Sequence, residues 1–287
     1  MADSVEMADI RSLDLDKTVK GFALVNYIFK SAITNSTTTA DHIRWYQETA
    51  ADLTPKAPTV ISDVSPLALF PTLEATWQRQ TSYVQKYAAE DTISMEDMKS
   101  SDIDVVARTL LRLTRAVVKQ VDTDIYNVIT EDQSPSTIST VASVAAWDAG
   151  SGQDPIKDIL GAIEDIEDYN YDISQGELWL NPKQKTSLLT WLISTKGGSI
   201  PQFASEKVKN GVLMEFLGLK VRVSNNVVAD SAPVLIPAAA ATWKSHTNTT
   251  SVAIEDRGIG TKFRVYELGI TLLTDPRAVC LITNTDA

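Results

Sequence analysis

The sequence predicts an α+β fold, and three observations carry that reading. Apolar residues recur at helical spacing, without Gly or Pro, from Ser94 to about Glu131. Ahead of that run lies a proline-punctuated arm bearing aromatic residues. Behind it, two capped helices give way to strand patterns, with none of the regular alternation of a doubly wound sheet.

The elements follow in chain order. Leu13 to Lys30 spaces Leu15, Val19, Phe22 and Tyr27 as a short helix able to dock on a partner, and the polar string TNSTTTA ends it. Ala40 to Ala50, carrying Trp45 and Tyr46, reads as another short helix. Pro55, Pro58, Pro66 and Pro71 come next; proline fixes φ and lacks a ladder donor, so Leu53 to Phe70 reads as an extended arm or edge hairpin. Leu67, Leu69 and Phe70 are exposed there unless something covers them. Thr76 to Glu90, with Trp77, Tyr83, Val84 and Tyr87 among polar residues, predicts a strand returning from the arm.

The helix from Ser94 places Ile103, Val106, Leu110, Leu113, Val117, Val121, Ile125 and Val128 on one face. Ser94 and Asp97 resemble a capping box, and Glu96 and Asp97 suit the positive end of the helix dipole. Arg108, Arg112, Arg115 and Lys119 form a basic edge beside the apolar stripe, solvated or facing a partner. At 1.5 Å per residue the helix is on the order of 55 Å long, more than an ordinary domain core requires. With the arm, this length points to a structural subunit.

A Ser/Thr-rich link, TEDQSPSTIST, marks a boundary. Asp154-Pro155 then starts a helix through Asp168 with Ile156, Ile159, Leu160, Ile163 and Ile166 on one face. Leu178 to Leu180 is a short buried strand, and Asn181-Pro182 caps a helix through about Ile193. Ser194 to Gly211 reads as a polar surface loop. Strand patterns close the chain in GLKVRVSNNV, APVLIPAAAATW, SVAIEDRG, TKFRVYELGITLL and RAVCLITN.

Composition excludes several functions. The 287 residues are 44% hydrophobic and 22% charged, enough for one large or two modest ordered domains. A net charge of -11 and a pI near 4.7 argue against a chain whose main task is holding nucleic-acid phosphates, although weak local contact is compatible with them. Cys280 has no disulfide partner and sits in the apolar run AVCLIT, which predicts a buried thiol. Neither a signal peptide nor a run long enough to span a membrane is present, so the sequons at Asn35 and Asn248 carry little weight. His42 and His246 are the only histidines and belong to no metal or catalytic spacing. Gly258-Ile259-Gly260 lacks the third glycine and following helix of a nucleotide fingerprint and reads as a turn between strands. Glu164, Asp165, Glu167, Asp168 and Asp172 lack calcium-loop spacing and read as a solvated helix face. The residues therefore predict no cofactor, no metal and no catalytic centre.

From Trp77 to Tyr126, the string WQRQTSYVQKYAAEDTISMEDMKSSDIDVVARTLLRLTRAVVKQVDTDIY resembles the extended loop and spine helix of tailed-virus major capsid proteins with the HK97-like fold. The helix after Asp154-Pro155, ELWLNPKQ, FLGLKVRVSNNV and GIGTKFRVYELGITLLTDPRAVCLIT resemble the axial domain and closing peripheral strands of that family, in the family's order.

The resemblance implies an HK97-like organisation: an N-terminal arm over 1–51, an extended loop over 52–92, a peripheral domain over 93–135 and 246–287 with the spine helix, and a mixed α/β axial domain over 136–245. It implies an icosahedral shell of pentamers and hexamers around double-stranded DNA, with Leu67, Leu69, Phe70 and Trp77 covering a neighbouring subunit. Lys196, Gly197, Gly198 and Lys209 would lie in the loop toward the symmetry axis. The implied partners are further copies of the chain, a portal, a decoration protein, weakly held DNA and a scaffolding protein; residues 1–51 leave little room for an internal scaffold, so the scaffold is a separate protein or the sequence is already trimmed, and no membrane is implied. Lys56 with Asn225 or Asn226 nominally offers a covalent crosslink, but nothing in the sequence brings them together. An encapsulin-type compartment shell enclosing a cargo enzyme shares the fold and is the alternative.

Overall fold

The computed structural model describes residues 15–23, 27–47, 65–66, 69, 78–100, 104–131, 138–196, 215–256 and 258–286. In chain order, helix α1 (15–23) precedes strands β1 (Thr34–Thr37), β2 (His42–Gln47), β3 (Gln78–Tyr83) and β4 (Gln85–Ser94). Helices α2 (Met95–Ser100) and α3 (Val105–Thr130) follow, then β5 (Ser139–Ala142), α4 (Pro155–Glu167), β6 (Glu177–Leu180) and α5 (Pro182–Trp191). The chain closes through β7 (Glu215–Phe216), β8 (Leu219–Val223), β9 (Ser231–Leu235), the short α6 (Pro237–Ala240), β10 (Ala241–Asp256), β11 (Gly260–Leu273) and β12 (Val279–Thr283).

Two compact units form. The first takes its described residues from Met1–Ile43, Ser82–Asn127 and Thr242–Leu272. Its sheet runs β1-β10-β11-β4, with β1 parallel to β10 and β4 antiparallel to β11. Val19, Phe29, Leu110, Val121, Ile125, Trp243 and Val265 fill its core. Gly269 lets this packing close, because a Cβ there would stand 2.2 Å from the Trp243 ring.

The second unit takes its described residues from Arg44–Thr81, Val128–Ala241 and Leu273–Ala287. Its sheet is mixed, in the order β5-β12-β9-β6-β8-β7. The closing strands thus divide, since β12 pairs with β5 and β9 in this second sheet. All of β6 is buried, and α4 packs over β12, β5 and β9. Two buried carboxylates here are satisfied: Asp158 accepts from Ser143 Oγ (2.6 Å) and Trp147 Nε1 (2.9 Å), and Glu177 accepts from Arg222 and Trp179 Nε1. Cys280 is buried as expected, and burial together with the Asp165 carboxylate pushes its thiol up to about 12.

The helix-start signals are realised in detail. Ser94 Oγ accepts from the Asp97 N–H (3.1 Å), Asp154 caps α4, and Asn181 with Gln184 forms a reciprocal capping box on α5.

Four expectations are corrected. The single helix from Ser94 is two, because Asp104 Oδ1 accepts from the Ala107 N–H (2.9 Å) and starts α3 afresh; Ile103 lies outside the described residues. α3 is therefore about 39 Å long. The stretch around Trp45 and Tyr46 is strand β2, not a helix, because β3 supplies it with a partner. The strand predicted over Thr76 to Glu90 is two strands that join different sheets on either side of Val84. On α4, Leu160 is 47% exposed while Asp158 and Ala162 are buried; Asp165, expected on a solvated face, lies beside Cys280.

The hairpin joining β7 to β8 turns through Leu217 (φ 52) and Gly218 (φ 79), the positive-φ pair of a type I′ turn. Leucine has no side-chain compensation for that region, whereas asparagine does. Leu217→Asn is expected to stabilise the protein by about 1 kcal/mol, read as a raised urea midpoint at unchanged slope. A lowered midpoint would contradict the turn assignment.

Candidate functional site

The predicted assembly features are a loop apex, the helix α3 and a loop beyond α5, and the structure describes chiefly their supports. Within the predicted loop, Leu69 is 96% exposed. Leu67, Phe70 and Trp77 lie outside the described residues. A leucine left that open forgoes about 2 kcal/mol of burial.

The base of the loop is held by strand pairing. β2 and β3 form a two-stranded ribbon, the Val84 N–H donates to Asp41 O (2.9 Å), and the His42 and Tyr83 rings lie 6.4 Å apart. Beyond Val84, β4 pairs with β11 over ten residues, from Gln85 opposite Gly269 to Ser94 opposite Gly260. The buried alternation carries Tyr87 and Ile93, while Lys86, Ala88, Glu90 and Thr92 are exposed. On the exposed face Glu90 meets Arg264 (2.8 Å), and Arg264 holds its carboxyl below the usual range. Lys86 lies 5.1 Å from the centroid of the Tyr266 ring.

α3 follows its predicted pattern. Leu110, Leu113, Val117, Val121 and Ile125 are buried, and Arg108, Arg112, Arg115 and Lys119 are exposed. Two anchors hold the unit that were not anticipated. Asp122, 2% exposed, accepts from the backbone N–H groups of Ile28 (2.8 Å), Phe29 (3.2 Å) and Lys30 (3.1 Å). Burial raises its pKa, and the three N–H donors act against that rise.

Glu267, fully buried on β11, pairs with Lys30 Nζ and accepts from Tyr27 Oη and from Thr249 Oγ1 (2.9 Å). Burial, then the charge of Glu267, drives the Tyr27 phenol well above its ordinary range. The Lys30 ammonium also lies 4.4 Å from the centroid of the Tyr27 ring and 5.2 Å from that of the Trp243 ring. Both anchors left a trace in the sequence: Asp122 falls within the buried stripe of α3, and Glu267 falls on the inward alternation of Phe263 and Val265.

Beyond α5 the backbone widens into a π-helical turn over Leu192–Lys196. Gly197, Gly198 and Lys209 lie outside the described residues, so of the residues predicted for the subunit contact and the symmetry-axis loop only Leu69 and Lys196 fall within them. No cluster of three or more His, Cys, Asp or Glu able to hold a metal occurs among the described residues, and no described helix is long and apolar enough to cross a membrane.

The phage capsid protein family model matches residues 78–282, from the start of β3 into β12. The chain belongs to the phage capsid protein family.

Solved structures agree in fold. This capsid protein is similar to the subunit of a virus-like particle from Pyrococcus furiosus, at 11% identity and a TM-score of 0.66, over 95% of this chain and 99% of that one. It is also similar to a chain of Mycobacterium phage Che8, at 15% identity and a TM-score of 0.66, over 91% and 92% of the two chains. A third likeness is to the capsid of cyanophage P-SCSP1u, at 12% identity and a TM-score of 0.66, over 91% and 89%. The fold is therefore HK97-like, as the loop and helix pattern implied. No curated protein matches the chain.

Asp122→Ala removes the acceptor of three N–H groups and is expected to destabilise the capsid protein by about 3 kcal/mol or more in urea unfolding. A loss below about 1 kcal/mol would show that the turn is held by something else.

Proposed function

We propose that this capsid protein is a major capsid subunit that self-assembles as pentamers and hexamers into an icosahedral shell around double-stranded DNA. The observation that carries the reading is the family match from residue 78 to residue 282, which spans both compact units. The role is structural, with no catalytic step and no cofactor.

Residues 1–51 act as an N-terminal arm and 52–92 as an extended loop. The peripheral part contains α3 and the β1-β10-β11-β4 sheet, and 136–245 is the core of the axial part; the pairing of β12 supports adding the chain beyond Leu273 to it. Leu67, Leu69, Phe70 and Trp77 cover a neighbouring copy, supported by the exposure of Leu69 and by the ten-residue ladder that fixes the loop's base. Lys196, Gly197, Gly198 and Lys209 lie toward the symmetry axis. Assembly takes place in the host cytoplasm with a scaffolding protein and a portal, and the product is part of the virion, with a decoration protein as a further partner.

A second reading, an encapsulin-type shell around a cargo enzyme, is favoured by the likeness to the Pyrococcus furiosus particle, 99% of whose subunit is covered. The contents of the purified particle separate the two readings: packaged nucleic acid supports the capsid and an enclosed enzyme supports the compartment.

Deletion of residues 58–71 is expected to leave soluble subunits or isolated capsomers with an unchanged circular dichroism spectrum, and no closed shells by electron microscopy. Closed shells from the deleted chain would overturn the assignment of the loop as the inter-subunit cover.

A further inference from the structure

The exposed edge of α3 has a property that burial and fold do not require. Arg108, Arg112, Arg115 and Lys119 follow one another at steps of four, three and four, forming a straight cationic line about 16 Å long. All four are exposed, and no exposed position of α3 between Arg108 and Gln120 is acidic. This line belongs to a chain with 37 acidic and 26 basic residues. Each cation faces a like charge three or four residues away, an arrangement that destabilises a helix. Only Arg112 has a carboxylate partner among the described residues, Asp91; Asp97 lines the same shallow groove as Arg108. Arg115 and Lys119 form no ion pair there.

We infer that the edge of α3 formed by Arg108, Arg112, Arg115 and Lys119 holds the phosphate backbone of double-stranded nucleic acid inside the shell. The inference rests on the reading of the chain as a genome-enclosing subunit and deepens it by naming the surface that meets the genome. Spacing supports it: cations every 5 Å or so along a rigid axis meet a duplex that carries a negative charge about every 1.7 Å. Chemistry supports it as well, since three of the four are arginines, whose planar fork suits phosphate oxygens. The remaining exposed residues of this face, Ala116 and Gln120, offer no aromatic or large apolar anchor, which a protein partner would need at the centre of its footprint. With no side chain placed to read base edges, the binding is independent of sequence. Many subunits presenting four cations each hold a polyanion collectively, although the net charge of every subunit is -11.

The test measures fluorescence anisotropy of a labelled mixed-sequence DNA duplex with wild-type protein and with the triple variant Arg108→Gln, Arg115→Gln, Lys119→Gln, at rising sodium chloride. The triple variant is expected to bind at least about tenfold more weakly, and its log–log salt slope to fall by about 2.7, or about 0.9 for each phosphate no longer neutralised. A control triple, Lys17→Gln, Lys157→Gln and Lys185→Gln, makes the same change in net charge elsewhere and is expected to keep the wild-type slope. Unchanged binding by the α3 triple, or an equal loss in the control, overturns the inference. So does polyglutamate binding the wild type more tightly than the duplex in a manner abolished by the α3 triple, which would assign the edge to an acidic protein partner. Thermal melting shows whether the α3 triple is folded. Should it be unfolded, Arg115→Gln alone is expected to lower the slope by about 0.9, and no change in that variant also overturns the inference. Electron microscopy of the wild-type preparation judges the shell reading separately: loss of that reading is seen as absent shells, and loss of the edge assignment is seen only in the slopes.

Discussion

One-sided burial of α3 is the constraint on which the first unit depends. A 26-residue helix is stable in water only when tertiary packing holds it, and Leu110, Leu113, Val117, Val121 and Ile125 supply that packing along most of its length. The rest of the unit follows from this seam. Asp122, on the buried face, captures the backbone of residues 28–30, and Asp124 accepts from Thr271 on β11 (3.2 Å). Turn and sheet are thereby set against the helix at fixed positions. A purely apolar seam would leave both free to slide, because hydrophobic contact has no direction.

Buried carboxylates supply that direction throughout the molecule. Asp122 and Glu267 do so in the first unit, Asp158 and Glu177 in the second. Each would be expensive to bury alone and is acceptable only because N–H, O–H or cationic partners surround it. A shell protein has reason to fix geometry in this way. Small angular errors in one subunit recur in every copy, and closure requires each copy to present the same surfaces at the same angles.

Much of the fold was legible because its determinants are local. The caps at Ser94, Asp154 and Asn181, the apolar period of α3 and the alternation of the closing strands are all short-range patterns. Misreadings arose where a distant partner decided the outcome. Trp45 and Tyr46 sit in a strand because β3, more than thirty residues further along the chain, pairs with it, and no helical pattern survives that competition. The break before α3 was hidden because Asp104 looks like an ordinary polar position inside a continuous periodic run, yet its carboxylate caps a new helix. Asp122 and Glu267 were visible as polar residues on buried faces, but their partners lie 92–94 and 18–240 residues away, beyond any local pattern. Leu69, read as exposed unless covered, is open to solvent. The basic edge of α3 was read directly from its spacing.

The central claim is that this chain builds a closed shell, and electron microscopy of the purified chain, with light-scattering mass on the same sample, tests it most directly. Closed shells or capsomer rings with a wall of uniform thickness and a mass of many subunits are the expected result. A homogeneous monomer or dimer that stays so at high concentration would contradict the account.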